Sequence, residues 1–387
     1  MTLPRALHVV PAIAARYGGP SVATLGMCRA LNAAGLETLV ATTDADGTGR
    51  LDVPLERSGF YDGISVVFFR RQFSESYKWS GGLSAWLNIH AAEFDVAHIH
   101  AVFSHSSLAA GRACRRAGVP YIVRPLGTLD PWSVNRKRFR KRALLRLGAD
   151  RLLRSAAAIH YTSADEQRLA ESVIEGLPTG VIVPNGVDDA AFVTPAARRR
   201  DAPGLLCLGR LDEKKGLDLV IRSFHVLAGD DRLHDWRLHL AGDGRAPFVA
   251  RLRALAASGP GASRITFHGW VAGEAKADLL RQASVFVLPS QQENFGISVA
   301  EALAASVPVI ITRGVNLAAD VEGAGAGWLV DRSVEALTGL LRRVMSDPIE
   351  LEHRGRAGRL MAERFRWPAI AKELIAMYER VILRCAA

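Results

Sequence analysis

Two glutamates, Glu293 and Glu301, stand in the spacing Glu-x7-Glu, where an apolar run passes through a polar loop into a helical pattern. The run predicts a buried strand ending at Leu288, and the pattern predicts a helix that begins near Phe295. The first N–H groups of such a helix lack partners within it and can bind phosphate oxygens. A carboxylate beside that phosphate is electrostatically costly unless it binds neutral hydroxyl groups, which a sugar presents. Otherwise the pair is an acid at a helix start and a solvated helix residue.

Two cations, Arg210 and Lys215, lie in a second segment, Leu208 to Gly216, between an apolar run and a helical pattern. Gly209 lets the backbone turn tightly there. Both cations could reach the mouth of a ligand site and neutralise a diphosphate leaving group. The alternative interpretation is a solvated charged loop.

A glycine pair, Gly18 and Gly19, follows the first apolar run and precedes a helical pattern. The pair predicts a flexible turn into a helix. Because glycine pairs are common, this segment on its own indicates little about function.

The elements that must position these residues alternate between short apolar runs and helical patterns, which predicts an α/β protein with parallel sheets. With 387 residues, the chain is long enough for two domains. We expect two doubly wound, Rossmann-like domains facing across a cleft, with the ligand outside the carboxyl ends of the strands. The predicted parts are a first domain at 1–188, a linker at 189–203, a second domain at 204–366 and a final helix at 367–387 that packs back on the first domain.

Thirteen strands are predicted: 7–13, 38–43, 64–69, 96–102, 121–124, 158–162, 181–183, 205–208, 237–241, 265–267, 285–288, 309–311 and 328–330. The named helical patterns are 22–34, 108–117, 217–227, 249–257, 275–282 and 297–305, followed by helices from 334, 350 and 368. Pro368 suits a first helical turn, where its missing N–H has no intrahelical role.

The formal net charge of +10 fits a nucleic acid, an anionic membrane or a phosphorylated substrate, and does not choose among them. The four cysteines have no paired spacing, which argues against a zinc site and favours a reducing cytoplasm. No apolar run is long enough for a spanning helix, and the start of the chain lacks a secretory pattern.

Much of the positive charge lies between Arg136 and Arg154, where arginines and lysines alternate with leucines. A basic helix with an apolar stripe is typical of a peripheral contact with an anionic membrane. In the alternative interpretation this is a surface helix whose leucines face the core.

Taken together, these segments resemble the family 4 glycosyltransferases of GT-B fold. The resemblance covers nearly the whole chain and rests on the glycine turn after the first strand, the Gly-Arg…Lys-Gly loop, Asn185-Gly186-Val187-Asp188 and Glu-x7-Glu with Phe295-Gly296, in the family's order. The stretches 95–105 and 124–132 further resemble members that build exopolysaccharide or lipopolysaccharide chains.

The resemblance implies a role for each matching residue. Arg210 and Lys215 would bind the donor diphosphate, Glu293 would contact the transferred sugar, and these three would be the catalytic residues. Glu301 would hold the ribose hydroxyls of a UDP- or GDP-linked sugar. Backbone and side-chain contacts to the donor are further implied for Gly18, Gly19, Gly242, Asp243, Val271, Asn294, Phe295, Gly296 and Ile297.

Family members retain anomeric configuration, and the resemblance implies a front-face reaction without a cofactor or metal ion, because cationic side chains and a helix N-terminus stabilise the charge. The implied acceptor is a glycan or a polyprenyl-linked sugar, bound by the first domain. One departure is Leu126, which stands where many relatives have a histidine. On the acceptor side we expect His100, His105, Arg124 and Asp130, although histidines at such a strand end are more often structural.

Other functions remain open. Nucleotide-sugar epimerases and hydrolases share the architecture, although they need a positioned acid/base set. The Asp-x-Asp of a metal-dependent glycosyltransferase occurs formally at Asp44–Asp46, in a glycine-rich turn. A nucleic-acid binder would need stacking aromatics or a binding module among the arginines, and no nucleic-acid partner is expected. The segment Gly323–Gly327 does not form the fingerprint of a dinucleotide oxidoreductase.

Overall fold

The computed structural model describes residues 3–135, 138–193 and 203–386. The chain divides into two compact units. The first unit comprises the chain up to Gly186 together with the segment from Trp367 onward, and the second unit runs from Val187 to Arg366. The second unit is therefore an insertion in the sequence of the first.

The strands are β1 Ala6–Ala12, β2 Thr38–Thr43, β3 Ala45–Asp46, β4 Gly49–Arg50, β5 Ser58–Tyr61, β6 Ile64–Phe69, β7 Val96–His100, β8 Tyr121–Arg124, β9 Ala158–Tyr161, β10 Gly180–Ile182, β11 Gly204–Leu208, β12 Arg237–Ala241, β13 Ile265–Gly269, β14 Ala283–Leu288, β15 Val309–Ile311 and β16 Gly327–Leu329.

The α-helices are α1 Gly19–Ala33, α2 Gly81–His90, α3 His105–Ala117, α4 Pro131–Asn135, α5 Arg138–Leu144, α6 Asp150–Arg154, α7 Ala164–Glu171, α8 Leu217–Leu227, α9 Ala246–Ala257, α10 Gly273–Gln282, α11 Ile297–Ala304, α12 Ala318–Gly323, α13 Val334–Met345, α14 Pro348–Ala362 and α15 Trp367–Ala386. Among the described residues, none of these helices is long and apolar enough to cross a lipid bilayer.

The first unit is built on an eight-stranded sheet in the order β10-β9-β8-β7-β1-β2-β6-β5. All neighbouring strands are parallel except β5, which runs antiparallel to β6 at the edge. The sheet has an apolar core on each face, and α15 packs over one of them with Ile370, Leu374 and Tyr378 buried. Helix α15 thus completes the first unit, although 180 residues separate it from the rest of that unit.

The second unit has a six-stranded parallel sheet in the order β13-β12-β11-β14-β15-β16. This is the strand order of a Rossmann fold, in which the chain direction across the sheet reverses between the first and fourth strands. Here that reversal lies between β11 and β14. These two strands are direct neighbours, with Gly204 opposite Ala283 and Leu206 opposite Phe286. Ligands of such sheets bind outside the carboxyl ends of the strands at the point of reversal.

Both units have the predicted architecture of a doubly wound α/β sheet. All thirteen predicted strands are present, with ends shifted by two residues at most. The edge strand β5 and helix α2 were not predicted. Strand β5 lacks a buried face, with Phe60 85% exposed, so the apolar alternation that reveals a strand is absent there.

The predicted linker is partly wrong. Residues 194–202, including the charged run from Arg198, lie outside the described residues, but Asp189–Val193 belong to the second unit. Phe192 is buried in its core, with the guanidinium groups of Arg359 and Arg366 at 4.9 and 3.8 Å from the ring centre. An aromatic ring held by two cations anchors this segment, so the second unit begins before the predicted boundary at residue 204.

Candidate functional site

The two loops that follow β11 and β14 carry the predicted catalytic residues of the second unit. After β11 the chain turns at Gly209, whose φ of 133° is accessible mainly to glycine. Beside it, Gly242 follows β12 with a φ of 136°, and a Cβ there would lie 1.9 Å from the carbonyl oxygen of Gly209. The N–H of Leu211 donates to the carbonyl of Asp243 at 2.8 Å. These contacts fix the backbone on both sides of Arg210, whose side chain is exposed.

Lys215 ends a short 3-10 turn after β11, which Asp212 caps by accepting the N–H of Lys214. Gly216 follows with a φ of 68° and lies against Pro289, so that a Cβ would meet the Pro289 carbonyl oxygen at 2.6 Å. This approach brings the β11 loop onto the β14 loop. The Lys215 ammonium there donates to Glu293 in a direct ion pair. The structure therefore joins two residues that were predicted separately.

Glu293 is held by its own backbone. Its N–H donates to the carbonyl of Gly314 at 2.8 Å, and its carbonyl accepts the N–H of Asn316 at 3.1 Å. Gly296, with a φ of 81°, then sets the start of α11. The helix begins at Ile297, which confirms the predicted helix 297–305 and lies two residues after the start near Phe295. Phe295 is buried, with its ring edge against Phe365.

Glu301 lies in the second turn of α11 and is almost fully buried. The Lys276 ammonium, from the first turn of α10, donates to Glu301 Oε1 at 2.7 Å. Burial raises the pKa of the Glu301 carboxyl, and Lys276 opposes that rise. The two glutamates of Glu-x7-Glu thus each have a lysine, Lys215 for Glu293 and Lys276 for Glu301. Lys276 was not predicted from the sequence, because it is one of two cations in an ordinary amphipathic helix.

The remaining residues predicted to bind the donor occupy varied surroundings. Asp243 is exposed and accepts the N–H of Gly244 at 2.7 Å. Val271 is half-buried against the second unit's core, beside the exposed Trp270. In the first unit, Gly18 has a φ of 69° and precedes α1, which begins at Gly19.

His105 and Asp130, predicted on the acceptor side, each hold a nearby backbone N–H group. His105 Nδ1 accepts the N–H of Ser80 at 3.2 Å, and the ring lies against Trp79. Asp130 Oδ1 accepts the N–H of Ser133 at 3.2 Å at the start of α4. Both residues are buried. Polar side chains at strand and helix ends commonly satisfy nearby backbone groups in this way, and the role of both residues as acceptor ligands stays a prediction.

His100 and Arg124, also predicted on the acceptor side, have no exposed surface in this structure, and their role as acceptor ligands stays a prediction. They stand opposite each other on β7 and β8. Burial lowers the pKa of Arg124 to about 10. Its Nη2 donates to Asn185 Oδ1, whereas Nε and Nη1 have no hydrogen-bond partner within the described chain.

His100 belongs to a buried histidine network in the first unit, which comprises His8, His98, His100, His160 and Tyr378. His100 Nε2 lies 3.1 Å from His8 Nδ1, and His8 Nε2 lies 3.3 Å from the Tyr378 hydroxyl. That hydroxyl lies 2.8 Å from His98 Nδ1, and His98 Nε2 lies 3.1 Å from His160 Nδ1. His160 Nε2 lies 2.8 Å from the Val183 carbonyl oxygen. The sequence indicated only the His98-x-His100 spacing, because the other members come from separate strands and α15.

Burial holds the pKa of these imidazoles far below its usual range, to about 3 for His8 and His160, and Arg124 adds to the effect. Among the described residues, one ring nitrogen from each of His8, His98 and His100 lies within 4.8 Å of the other two. This spacing is close enough to hold a metal ion. His8 and His100 already bond to each other, both ring nitrogens of His98 bond to Tyr378 and His160, and the Arg124 cation disfavours a second cation there. The geometry fits a neutral hydrogen-bond network better than a metal centre.

The basic segment is not one continuous helix. Gly148, with a φ of 134°, interrupts it between α5 and α6, and Arg136 and Lys137 lie outside the described residues. Leu152 and Leu153 pack into the core of the first unit. Phe139 and Leu147 are 83% and 73% exposed instead, among the exposed arginines Arg140, Arg142, Arg146 and Arg151. The leucines thus divide between core and solvent.

Family models match both units. A model described as "Glycosyl transferases group 1" matches residues 188–361, and one described as "Glycosyl transferase 4-like domain" matches residues 18–186. Together they cover most of the chain and divide it near the boundary of the two units.

Curated relatives include a mannosylfructose-phosphate synthase from Agrobacterium fabrum, 31% identical over 51% of this chain and 47% of the relative. A Mycobacterium tuberculosis GDP-mannose-dependent alpha-(1-6)-phosphatidylinositol dimannoside mannosyltransferase is 33% identical over 52% of each chain. The chain thus spans about half the length of these two relatives. A Kineococcus radiotolerans D-inositol 3-phosphate glycosyltransferase is 26% identical over 90% of this chain and 81% of its own.

Solved structures share the fold. A sucrose-phosphate synthase from Thermosynechococcus elongatus superposes with a TM-score of 0.81, at 20% identity and with 99% of this chain and 100% of that one covered. The Anabaena protein HepE in complex with UDP and glucose gives a TM-score of 0.76 at 18% identity, with 97% and 99% covered. Such likeness establishes the two-domain GT-B fold.

Proposed function

Because the chain belongs to the family 4 glycosyltransferases of GT-B fold, we propose that it transfers a sugar from a UDP- or GDP-linked donor to a glycan or lipid-linked acceptor, with retention of configuration. HepE was solved with UDP and glucose, and the mycobacterial relative is named for its use of GDP-mannose. These names support a nucleoside-diphosphate sugar as the donor. The second unit would bind it and the first unit would bind the acceptor.

The ion pair between Lys215 and Glu293 is the observation that carries this proposal. It lies beyond the ends of β11 and β14, the two strands between which the strand order reverses. Ligands of a Rossmann fold bind at this position. A cation there suits a diphosphate, and a carboxylate there suits sugar hydroxyls. A donor binding at this point would draw the ammonium of Lys215 toward its phosphates and leave Glu293 for the sugar.

The proposed reaction breaks the bond between the anomeric carbon and the diphosphate oxygen. Lys215 and Arg210 stabilise the negative charge that grows on the leaving diphosphate, as preorganised charges do in other enzymes. The acceptor hydroxyl forms the new bond on the same face of the sugar, and its proton passes to the departing phosphate oxygen. Because cationic side chains stabilise the charge, we propose that no metal ion takes part.

Replacement of Lys215 by alanine tests this role. We expect turnover of a UDP- or GDP-sugar to fall by about 100-fold, the scale of one lost transition-state contact. Arg251→Ala is the matched control, because Arg251 is an exposed cation of the same unit whose partner is Glu213 at 2.6 Å. Products are compared with and without acceptor. Full turnover by Lys215→Ala would contradict the role, and a new sugar isomer formed without acceptor would identify an epimerase instead.

We further propose that the protein works at the cytoplasmic face of an anionic membrane in cell-surface polysaccharide synthesis. The exposed Phe139 and Leu147 lie among exposed arginines of the basic segment, and exposed aromatic and basic side chains favour the interface of an anionic bilayer. A lipid-linked acceptor would be reached from such a position.

Charge reversal of Arg140, Arg142, Arg146 and Arg151 to glutamate tests the membrane contact. Each cation near an anionic surface contributes about 1 kcal/mol, so reversal is expected to abolish sedimentation with phosphatidylserine vesicles at physiological salt. The charge-matched control reverses four exposed arginines elsewhere in the first unit: Arg57, Arg70, Arg112 and Arg116. Equal loss in both variants would indicate attraction by net charge alone, and the basic segment would not be the contact.

A further inference from the structure

Lys276 differs from the other lysines near the site because it contacts Glu301. Its side chain reaches from α10 across to α11 and is 26% exposed, whereas the Glu301 side chain is 8% exposed. The two groups are 2.7 Å apart. A lysine that is partly in water can hold a buried carboxylate while it remains hydrated on its outer side.

Two further effects act on the Glu301 carboxylate. Burial disfavours its ionised form, and the negative charge of Asp188 acts in the same direction. Among the groups of the described chain, Lys276 opposes both effects, through its charge and its hydrogen bond. Without Lys276, this carboxyl would become neutral at a higher pH.

We propose that Lys276 is a positioning residue for donor binding, which pairs with the Glu301 carboxylate and fixes its orientation toward the ribose hydroxyls of the nucleotide. This inference rests on the proposed function, in which Glu301 binds the ribose. A carboxylate accepts hydrogen bonds from two neighbouring hydroxyls, whereas a protonated carboxyl loses part of that capacity and the charge that strengthens it. Lys276 holds Oε1, so its loss also frees the side chain to rotate.

The test compares dissociation constants of UDP and GDP by calorimetry, between pH 5.5 and 8.5 and without metal ions. In Lys276→Met, the carboxyl of Glu301 binds a proton at higher pH than in the native protein. Binding of the preferred nucleotide is then expected to weaken by about tenfold per pH unit once that carboxyl protonates. At pH 8.5 the weakening should be within about threefold of the native protein.

Two variants isolate the effect. Lys276→Arg keeps the charge and should retain the native pH profile. Arg281→Met is the matched control on the same helix, because Arg281 pairs with Glu274 and with Asp278 at 2.8 Å rather than with Glu301, and it should also bind with the native profile.

The pH profile of Lys276→Met separates a positioning role from a direct contact with the nucleotide. Equal weakening of Lys276→Met at every pH would overturn the proposal in favour of a direct contact between Lys276 and the nucleotide. Native affinity at every pH would overturn it as well. In one further outcome, the native protein binds neither UDP nor GDP, but Lys215→Ala still lowers transfer from another nucleoside-diphosphate sugar. The choice of base is then wrong, and the same series of variants is measured with the nucleotide of that donor. If no such nucleotide binds, the proposed function itself fails.

Discussion

Acidification from pH 7.5 to 5.5 is expected to destabilise the first unit strongly, because four imidazoles of the histidine network are buried without charge. Burial lowers the pKa of His8 and His160 to about 3 and holds those of His98 and His100 well below the usual range. In the unfolded chain each imidazole returns to a pKa of about 6.5. The unfolded state therefore binds protons that the native state does not.

The sign and size of the effect follow from this difference. Stability from the network is fully present above pH 6.5 and is lost as the pH falls toward 3. Between pH 7.5 and 5.5, one such histidine lowers the free energy of unfolding by about 1.4 kcal/mol, and four lower it by about 5.5 kcal/mol. That loss is a large share of the stability of an ordinary domain.

Urea unfolding at a series of pH values measures this loss. The structure makes a sharper prediction for His160→Gln, which removes one of the four imidazoles. Its free energy of unfolding should depend on pH less steeply, by about 1.4 kcal/mol over the same interval. His234→Gln, at an exposed position in the second unit, is the control and should keep the native slope. An unchanged slope in His160→Gln, or a first unit that gains stability in acid, would refute the reasoning.

Four further predictions concern the second unit. Glu301→Ala should raise the Michaelis constant of the donor with little change in turnover, because it removes binding made equally in ground and transition states. Glu293→Gln should lower turnover by about 100-fold with near-native UDP or GDP affinity, and steady-state kinetics with nucleotide titration distinguish the two patterns. Excess EDTA should leave transfer unchanged, and restoration of a lost activity by magnesium or manganese would contradict this. Gly242→Ala should destabilise the second unit by about 1–3 kcal/mol in thermal unfolding, because its Cβ would meet the Gly209 carbonyl and its φ is unfavourable.

The fold was predictable because buried parallel strands are short apolar runs between helical patterns, and this signal is local. Strands such as Thr38–Thr43 and Arg237–Ala241 have the predicted limits. The exceptions have physical reasons. Strand β5 is exposed, and the basic segment breaks at Gly148 because a glycine there adopts a left-handed φ.

The candidate site was predictable only in part. Glu293 and Lys215 were found because loops after parallel strands carry ligands, but their ion pair depends on the close approach of two loops far apart in sequence. Lys276 and His160 have nothing local to mark them, since their roles come from what packs against them. Burial of Arg124 is equally invisible, because an arginine at a strand end looks like a ligand for an anion.

The insertion of the second unit within the first has a consequence for biosynthesis. Residues of β1, β7, β8 and β9 form a buried face that is complete only when α15 packs on it, and 180 residues must be translated before α15 is made. At about 5–20 residues per second, this takes about 10–40 s. The second unit is continuous and is fully synthesised first. During that time the nascent first unit exposes an apolar surface, and a chaperone that binds it would meet the rings of His8 and His98 without the Tyr378 hydroxyl that later bonds to both.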